Sequence, residues 1–260
     1  MNNLIIGNTS QLSHLFPSEY DKISSRNINF DDSNYDSVYI TFAEQRTFDT
    51  NLKESDFIDV NVKYTSKVIE HFSKLSKRVI VYGTAELWNA HDGGIEIETE
   101  IKYKYSPYIK SKEILWEIIK SKRDKNEWKN VNIIHPFNFN SLNRKSGFLF
   151  FKLFDALIND KITKVGNINI ERDIIHVKYL IEESINCNND IIVGSGKLTN
   201  IRDFIMDIFK YYNKNFSNYI IEEDIKSQHQ DNNFWLKKDK IYKNLFLDTI
   251  QEINGYYERN

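Results

Sequence analysis

Tyr108 and Lys112 stand four positions apart, and Thr84 lies upstream, just after the apolar run Arg78-Val79-Ile80-Val81. On a helix, residues i and i+4 share one face. An ammonium beside a phenol favours the phenolate and lowers its pKa. A hydroxyl at a strand end then holds a sugar or alcohol oxygen for that phenolate to deprotonate. The pair by itself is weak, because a chain with 15 tyrosines and many lysines forms such pairs by chance. The surrounding elements must carry the case.

Those elements alternate. Leu4-Ile5-Ile6 before Gly7 reads as a short buried strand and a turn, and Ser37 to Phe42 as a second strand. Val60, Tyr64, Val68 and Phe72 recur every four residues and predict a helix over 57–75. Arg78 to Tyr82 is a third strand. Pro107 opens a helix to about Lys122, at a position that tolerates a missing N–H. Val131 to Ile134 is a fourth strand, closed by Pro136. This order predicts an α/β fold, a parallel sheet covered by helices. Further on, Gly147 to Asn159 and Thr199 to Tyr212 read as helices, the second with Thr199 as N-cap. Ile168 to Val177 and Ile191 to Val193 read as strands, and a last helix runs from about Lys238 to Tyr257. The expected division is a cofactor-binding part over 1–138 and a smaller α/β cap over 139–260, with some later segments returning to the first part.

Composition narrows the function. The chain has 260 residues, 40% hydrophobic, with a net charge of −2. No strong field calls for nucleic acid or a membrane surface as partner. Cys187 is the single cysteine, so no intramolecular disulfide forms, and the six histidines are scattered, so no metal site is expected. The most apolar stretch, Phe148 to Ile158, is broken by Lys152 and Asp155, short of the ~20 apolar residues of a membrane span. The N-terminus lacks the basic start and long apolar core of a signal peptide. A cytoplasmic location is expected. His135 and His176 read as hydrogen-bonded structural residues, and Cys187 has no role.

A strand leading into Gly7 is where a dinucleotide fold places its phosphate turn. Here the turn runs Gly7-Asn8-Thr9-Ser10-Gln11-Leu12-Ser13, with serines at the second and third glycine positions. Ser10 sets a Cβ where backbone approaches pyrophosphate, although its hydroxyl can bond a phosphate oxygen. An ordinary strand–turn–helix explains the same residues.

The segments Val81-Tyr82-Gly83-Thr84-Ala85-Glu86-Leu87-Trp88 and Tyr105-Ser106-Pro107-Tyr108-Ile109-Lys110-Ser111-Lys112 resemble the extended short-chain dehydrogenase/reductase superfamily. Within it the resemblance runs to the NAD-dependent epimerase/dehydratase enzymes, especially nucleotide-sugar 4,6-dehydratases of the GDP-mannose type. Pro136-Phe137-Asn138, Gly166-Asn167, Arg172 to Val177 and Ile191 to Phe204 match later family segments in order. The resemblance implies a Rossmann-like sheet with a nucleotide-sugar cap, NADP or NAD as cofactor, and a homodimer. It places Thr84, Glu86, Tyr108 and Lys112 on catalytic positions. It places Gly7, Thr9, Ser10, Gln11, Leu12, Arg26, Phe42, Ala43, Asn61, Tyr108 and Lys112 at the cofactor. Arg26 suits the 2′-phosphate of NADP or is a loop cation. Asn138, Arg144 and Arg172 face the nucleotide sugar, Arg172 alternatively bridging to Asp173.

The chain departs from that pattern in three places: the glycine turn, a first strand-to-strand interval about half the usual length, and Tyr179 where the family has Asp. The first two bear on how tightly cofactor is held. The activities that stay open are 4,6-dehydratase, 4-keto reductase, 4-epimerase, and a catalytically weakened nucleotide-sugar-binding homologue.

Overall fold

Leu4, Ile5 and Ile6 are all but excluded from water, as are Val38 to Ile40, Val79 to Val81 and Val131, Ile133 and Ile134. Strands apolar on both faces belong inside a parallel sheet, and they form one. The computed structural model describes residues 2–30, 33–223, 233–237 and 244–259. The chain begins with β1 (Asn3–Ile6), β2 (Asp21–Ile23) and β3 (Tyr35–Ile40). A helical stretch follows: α1 (Glu54–Ile58), a π-helical segment (Asp59–Tyr64) and α2 (Thr65–Phe72). Next come β4 (Ser76–Tyr82), β5 (Gly93–Ile95), α3 (Pro107–Asp124), β6 (Val131–Pro136) and β7 (Asn138–Asn140). Then α4 (Leu149–Asn159), β8 (Thr163–Val165), β9 (Glu171–His176), α5 (Val177–Asn186) and β10 (Ile191–Val193). The chain closes with β11 (Leu198–Asn200), α6 (Ile201–Tyr211), β12 (Ile220–Glu222), β13 (Phe234–Leu236) and α7 (Leu245–Tyr257).

Two compact units emerge. The first holds residues 1–89, 100–136 and 181–193, and the second 90–99, 137–180 and 194–260. The chain passes between the units more than once, with one crossing from Pro136 to Phe137.

The first unit is built on a six-stranded sheet in the order β10-β6-β4-β3-β1-β2, parallel throughout. Val38 lies beside Val79, and Val79 beside Val131. Against the doubly wound order 3-2-1-4-5-6, this sheet has no strand beyond β2 among the described residues. That loss accounts for the short interval before β3. The turn after β1 also differs from expectation: no α-helix follows Gly7, only a 3-10 turn over Ser13–Leu15. Pro17 explains the stop, because it lacks an N–H and disfavours helical backbone in the residue before it.

The second unit has three small sheets, β11-β9-β7, β12-β8 and β13-β5. Its core gathers Leu153, Leu157, Phe204, Ile208, Ile250 and Ile253 from α4, α6 and α7. The N-cap of α6 is Asn200, which accepts from the Asp203 N–H, and not Thr199. Thr199 is in β11 opposite Arg172. The last helix is described from Leu245, and residues 238–243 lie outside the described residues. Among the described residues, no helix is long and apolar enough to cross a membrane.

Candidate active site

β4 delivers Thr84 to the C-terminal edge of the sheet. The Thr84 backbone is extended and its hydroxyl accepts from the Glu86 N–H at 3.2 Å, capping a 3-10 turn over Ala85–Trp88. Behind this turn sits His135, wholly buried, with Nδ1 3.3 Å from the Thr84 carbonyl. Its ring packs against Trp88 and Trp116, at centroid distances of 5.3 and 4.4 Å, and the two indoles also meet each other at 5.6 Å. Burial pushes the imidazole pKa down to about 3. His135 is therefore neutral at ordinary pH, and the carbonyl it faces assigns the proton to Nδ1. Gly83 makes room for it: a Cβ there would stand 2.4 Å from His135 Nδ1.

Glu86 is half-buried, and Asn89 donates from Nδ2 to its Oε2 at 3.0 Å. α3 presents the other two candidates. Ser106 caps it, its hydroxyl accepting from the Ile109 N–H at 3.1 Å, and Pro107 takes the first position as expected. Tyr108 is half-buried, edge-on to Phe57 with 6.4 Å between ring centroids. Lys112 follows one turn later, its Nζ 5.9 Å from the Tyr108 ring centroid. That Nζ donates to the Tyr82 carbonyl at 2.7 Å. Lys112 is 3% exposed, and desolvation lowers its pKa to about 8. The helix is thus tied to the end of the strand that carries Thr84. Thr84, Glu86, Tyr108 and Lys112 all belong to the first unit.

The phosphate turn is rebuilt with side chains. Gly7 has φ +115°, and a Cβ there would come 2.8 Å from Thr41 Oγ1 and 3.0 Å from the Phe42 nitrogen. Only glycine suits that approach to the segment after β3. The Ser10 hydroxyl does not stand ready for a phosphate: it donates to Thr41 Oγ1 at 2.8 Å and accepts from the Ser13 N–H at 3.2 Å. Ser13 is fully buried, its hydroxyl within reach of the Asn8 and Ser10 carbonyls. Among the described residues, the main-chain N–H groups of Thr9, Gln11 and Leu12 have no acceptor. Gln11 is 4% exposed, and neither polar atom of its amide has a hydrogen-bond partner. Arg26 lies exposed just beyond the end of β2.

Asn61 sits in the π-helical segment, buried. It bonds both the N–H and the carbonyl of Glu44, each at 2.8 Å, and donates to the Ser111 hydroxyl at 3.0 Å. Its amide thereby clamps the loop carrying Phe42 and Ala43 against α3. Sequence reading assigned Asn61 to the cofactor, whereas its polar atoms are committed within the protein. Asn138, Arg144 and Arg172 belong to the second unit. The Arg144 guanidinium lies 4.3 Å from the Phe139 ring and 4.5 Å from that of Phe148. Arg172 is buried and donates to the Glu171 carbonyl at 2.7 Å. Asp173 turns to the N–H groups of Ser195, Gly196 and Leu236 and to the Ser195 hydroxyl. Desolvation still raises its carboxyl pKa. Tyr179, standing where an aspartate was expected, donates to Asp248 of α7 at 2.6 Å.

His135 and Asn89 are the neighbours that sequence reading missed as partners of the site. Only Gly83 hinted at the first, as a glycine just before the reactive hydroxyl. Neither contact has a signal in residue spacing.

The family model of NAD dependent epimerase/dehydratase proteins matches residues 6–183. The chain belongs to that family. With it comes membership of the extended short-chain dehydrogenase/reductase superfamily. No curated protein sequence matches the chain. Among solved structures, MoeE5 in complex with UDP-glucose and NAD is similar, with a TM-score of 0.81 at 12% identity, covering 99% of this chain and 100% of that one. The dTDP-glucose 4,6-dehydratase DesIV of Streptomyces venezuelae, a double mutant, gives a TM-score of 0.77 at 14% identity, covering 100% and 98%. The UDP-N-acetylglucosamine 4-epimerase of Methanobrevibacter ruminantium gives 0.77 at 13%, covering 100% and 99%. At such identities the likeness speaks for the fold. Within the epimerase/dehydratase family, the residues present fit a dinucleotide. Three unpaired main-chain N–H groups and an unsatisfied buried amide lie at the Gly7 turn, a set of donors that suits an anion without a helix. At the other end Lys112 spends one of its three N–H donors on Tyr82.

Proposed function

We propose that this protein is an NAD(P)-dependent enzyme acting on a nucleotide sugar, and that its reaction is a 4,6-dehydration. One observation carries the choice of reaction: Glu86, a carboxylate two residues from Thr84, is held beside it on the same capped turn. Epimerisation or reduction at C4 needs a hydroxyl, a phenol and a lysine. Elimination across C5 and C6 needs a further base.

Tyr108, with Lys112 one turn away favouring its phenolate, takes the proton from the sugar 4-hydroxyl. Thr84 hydrogen-bonds the same oxygen and fixes its position. A nicotinamide bound at this site supplies the hydride acceptor at C4 and the donor at C6. The 4-ketone acidifies the C5 proton, Glu86 removes it and passes it to the C6 hydroxyl, which leaves as water; once C6 is reduced, a solvent-derived proton returns to C5. The Gln11 and Leu12 N–H groups and the Gln11 amide would hold the dinucleotide phosphates, with Arg26 toward the adenosine ribose. Arg144 and Arg172 would take the sugar-nucleotide diphosphate, where a planar guanidinium favours bidentate contacts.

A reductase that binds and releases NADPH each turnover is the second reading. It is favoured by the Gly7 turn, which has no α-helix behind it to retain a cofactor. Incubating the protein with GDP-, CDP-, dTDP- and UDP-sugars, with and without NAD or NADPH, separates the two by mass. Loss of water supports dehydration, and gain of two hydrogens with NADPH supports reduction. An unchanged mass with a moved retention time means epimerisation. No change in any arm, with no dinucleotide bound, would overturn the enzymatic reading.

A further inference from the structure

We infer that Asn89 is a positioning residue for the Glu86 base, resting on the reading of Glu86 just given. Asn89 is 8% exposed and ends the 3-10 turn that begins after Thr84. Its Oδ1 accepts from the Lys104 N–H at 2.6 Å, and its Nδ2 donates to Glu86 Oε2 at 3.0 Å. The two contacts fix the amide orientation. A backbone N–H only donates and must face oxygen, so nitrogen is left facing the carboxylate. One carboxylate oxygen is thereby occupied by a donor, and the other stays available to take a proton. Without the bond, the Glu86 side chain would sample its rotamers at the surface.

The same amide ties the base to the segment that leads into α3. Lys104 precedes Ser106, the cap of the helix bearing Tyr108, and the Lys102 N–H donates to the Leu87 carbonyl at 3.1 Å. The turn with Thr84 and Glu86 is thus strapped to the start of the Tyr108 helix. Asn89 sets where the second base stands relative to the first acid–base pair, without itself meeting the sugar.

Two variants isolate the contact. Asn89→Asp keeps an oxygen for the Lys104 N–H but cannot donate to Glu86, and sets like charges together. Asn89→Ala removes both bonds. In crystals of Asn89→Asp, the Glu86 carboxylate should leave its present position while α3 stays in place. In D2O with NAD and each of GDP-mannose, dTDP-glucose, UDP-glucose and CDP-glucose, deuterium uptake at C5 and loss of water should fall by on the order of 10²-fold, the cost of a misplaced catalytic group. Nicotinamide reduction, which reports the C4 step, should stay near wild type, and the loss should fall on kcat rather than KM. Equal loss of both steps, or Glu86 unmoved in both variants, overturns the proposal. Wild-type protein that reduces nicotinamide with no C5 exchange overturns the dehydratase reading instead. Crystals of the variants still decide whether Asn89 holds Glu86.

Discussion

The two ends of the first unit are built by different means. At the β4–α3 end, four candidate groups are fixed by contacts running deep into the core. Lys112 reaches the Tyr82 carbonyl, His135 the Thr84 carbonyl, and Trp88 and Trp116 pack against the imidazole. At the β1 end, two serines and a threonine hold a turn that glycines and a helix hold in the family pattern. The first arrangement positions chemistry. The second keeps a loop closed and leaves the main-chain N–H groups of Thr9, Gln11 and Leu12 without an acceptor among the described residues. The difference teaches that the machinery for proton transfer and the cradle for phosphate depend on separate residues, so each can be broken alone.

The sharpest break is Tyr108→Phe. It removes the proposed acid–base group and leaves the ring against Phe57. Turnover of the nucleotide sugar found in the substrate panel should fall about 10²–10⁴-fold, with unchanged dinucleotide affinity by fluorescence titration. Retained turnover would place the chemistry elsewhere.

Lys112→Met should separate function from stability. Burial holds the Lys112 pKa near 8 against an ordinary 10.5. Below pH 8 the folded protein therefore carries a charge that its surroundings disfavour. Between pH 8 and 10.5 the folded state has released a proton that the unfolded chain still binds, so wild-type stability gains with pH across that window. The shift corresponds to about 3 kcal/mol, offset by about 1 kcal/mol for the bond to Tyr82. Lys112→Met should lose turnover yet unfold at higher urea at pH 7, its advantage shrinking toward pH 10. An advantage that does not change with pH would mean that Lys112 does not titrate there.

The architecture was legible because its signals are local and repeated. Ile80 and Ile133 sit in apolar runs that a parallel sheet requires, and Pro107 after Ser106 marks a helix start by itself. The chemistry of Thr84, Glu86, Tyr108 and Lys112 was legible only as a family pattern, since its meaning depends on β4 and α3 lying side by side. What stayed hidden are contacts between distant positions. Asn61 on Ser111 is one, His135 on Thr84 another, and Asp248 on Tyr179 a third. Such partners are chosen by packing, and no periodicity records them. The vanished helix after Gly7 had a local cause in Pro17, but Thr9 to Leu15 fits a helical start equally well until the turn's own bonds are seen.

A smaller break tests the latch behind Thr84. Gly83→Ala sets a methyl where His135 Nδ1 stands, so the imidazole must move and the Thr84 carbonyl loses its donor. Overpacking of this kind costs about 1–3 kcal/mol. Urea unfolding should register that loss, together with reduced turnover at unchanged dinucleotide affinity. Unchanged turnover would separate His135 from the Thr84 geometry.

Ser10→Gly brings out the contrast most finely, because it restores the family residue at the phosphate turn. If a missing glycine alone weakened the cradle, the change would tighten dinucleotide binding. The structure argues otherwise. The Ser10 hydroxyl joins Thr41 and the Ser13 N–H, and the N–H groups of Gln11 and Leu12 keep their places because that small network closes the loop. Removing it frees a flexible residue beside Gly7 with no helix to take over the ordering. Stability should drop by about 1 kcal/mol, the net worth of a hydrogen bond plus added chain entropy. NAD affinity, measured by calorimetry, should stay level or weaken. A clear gain in affinity would mean that the Ser10 side chain obstructs the cradle, and that the two ends of the unit differ by a steric fault rather than by a second way of ordering a turn.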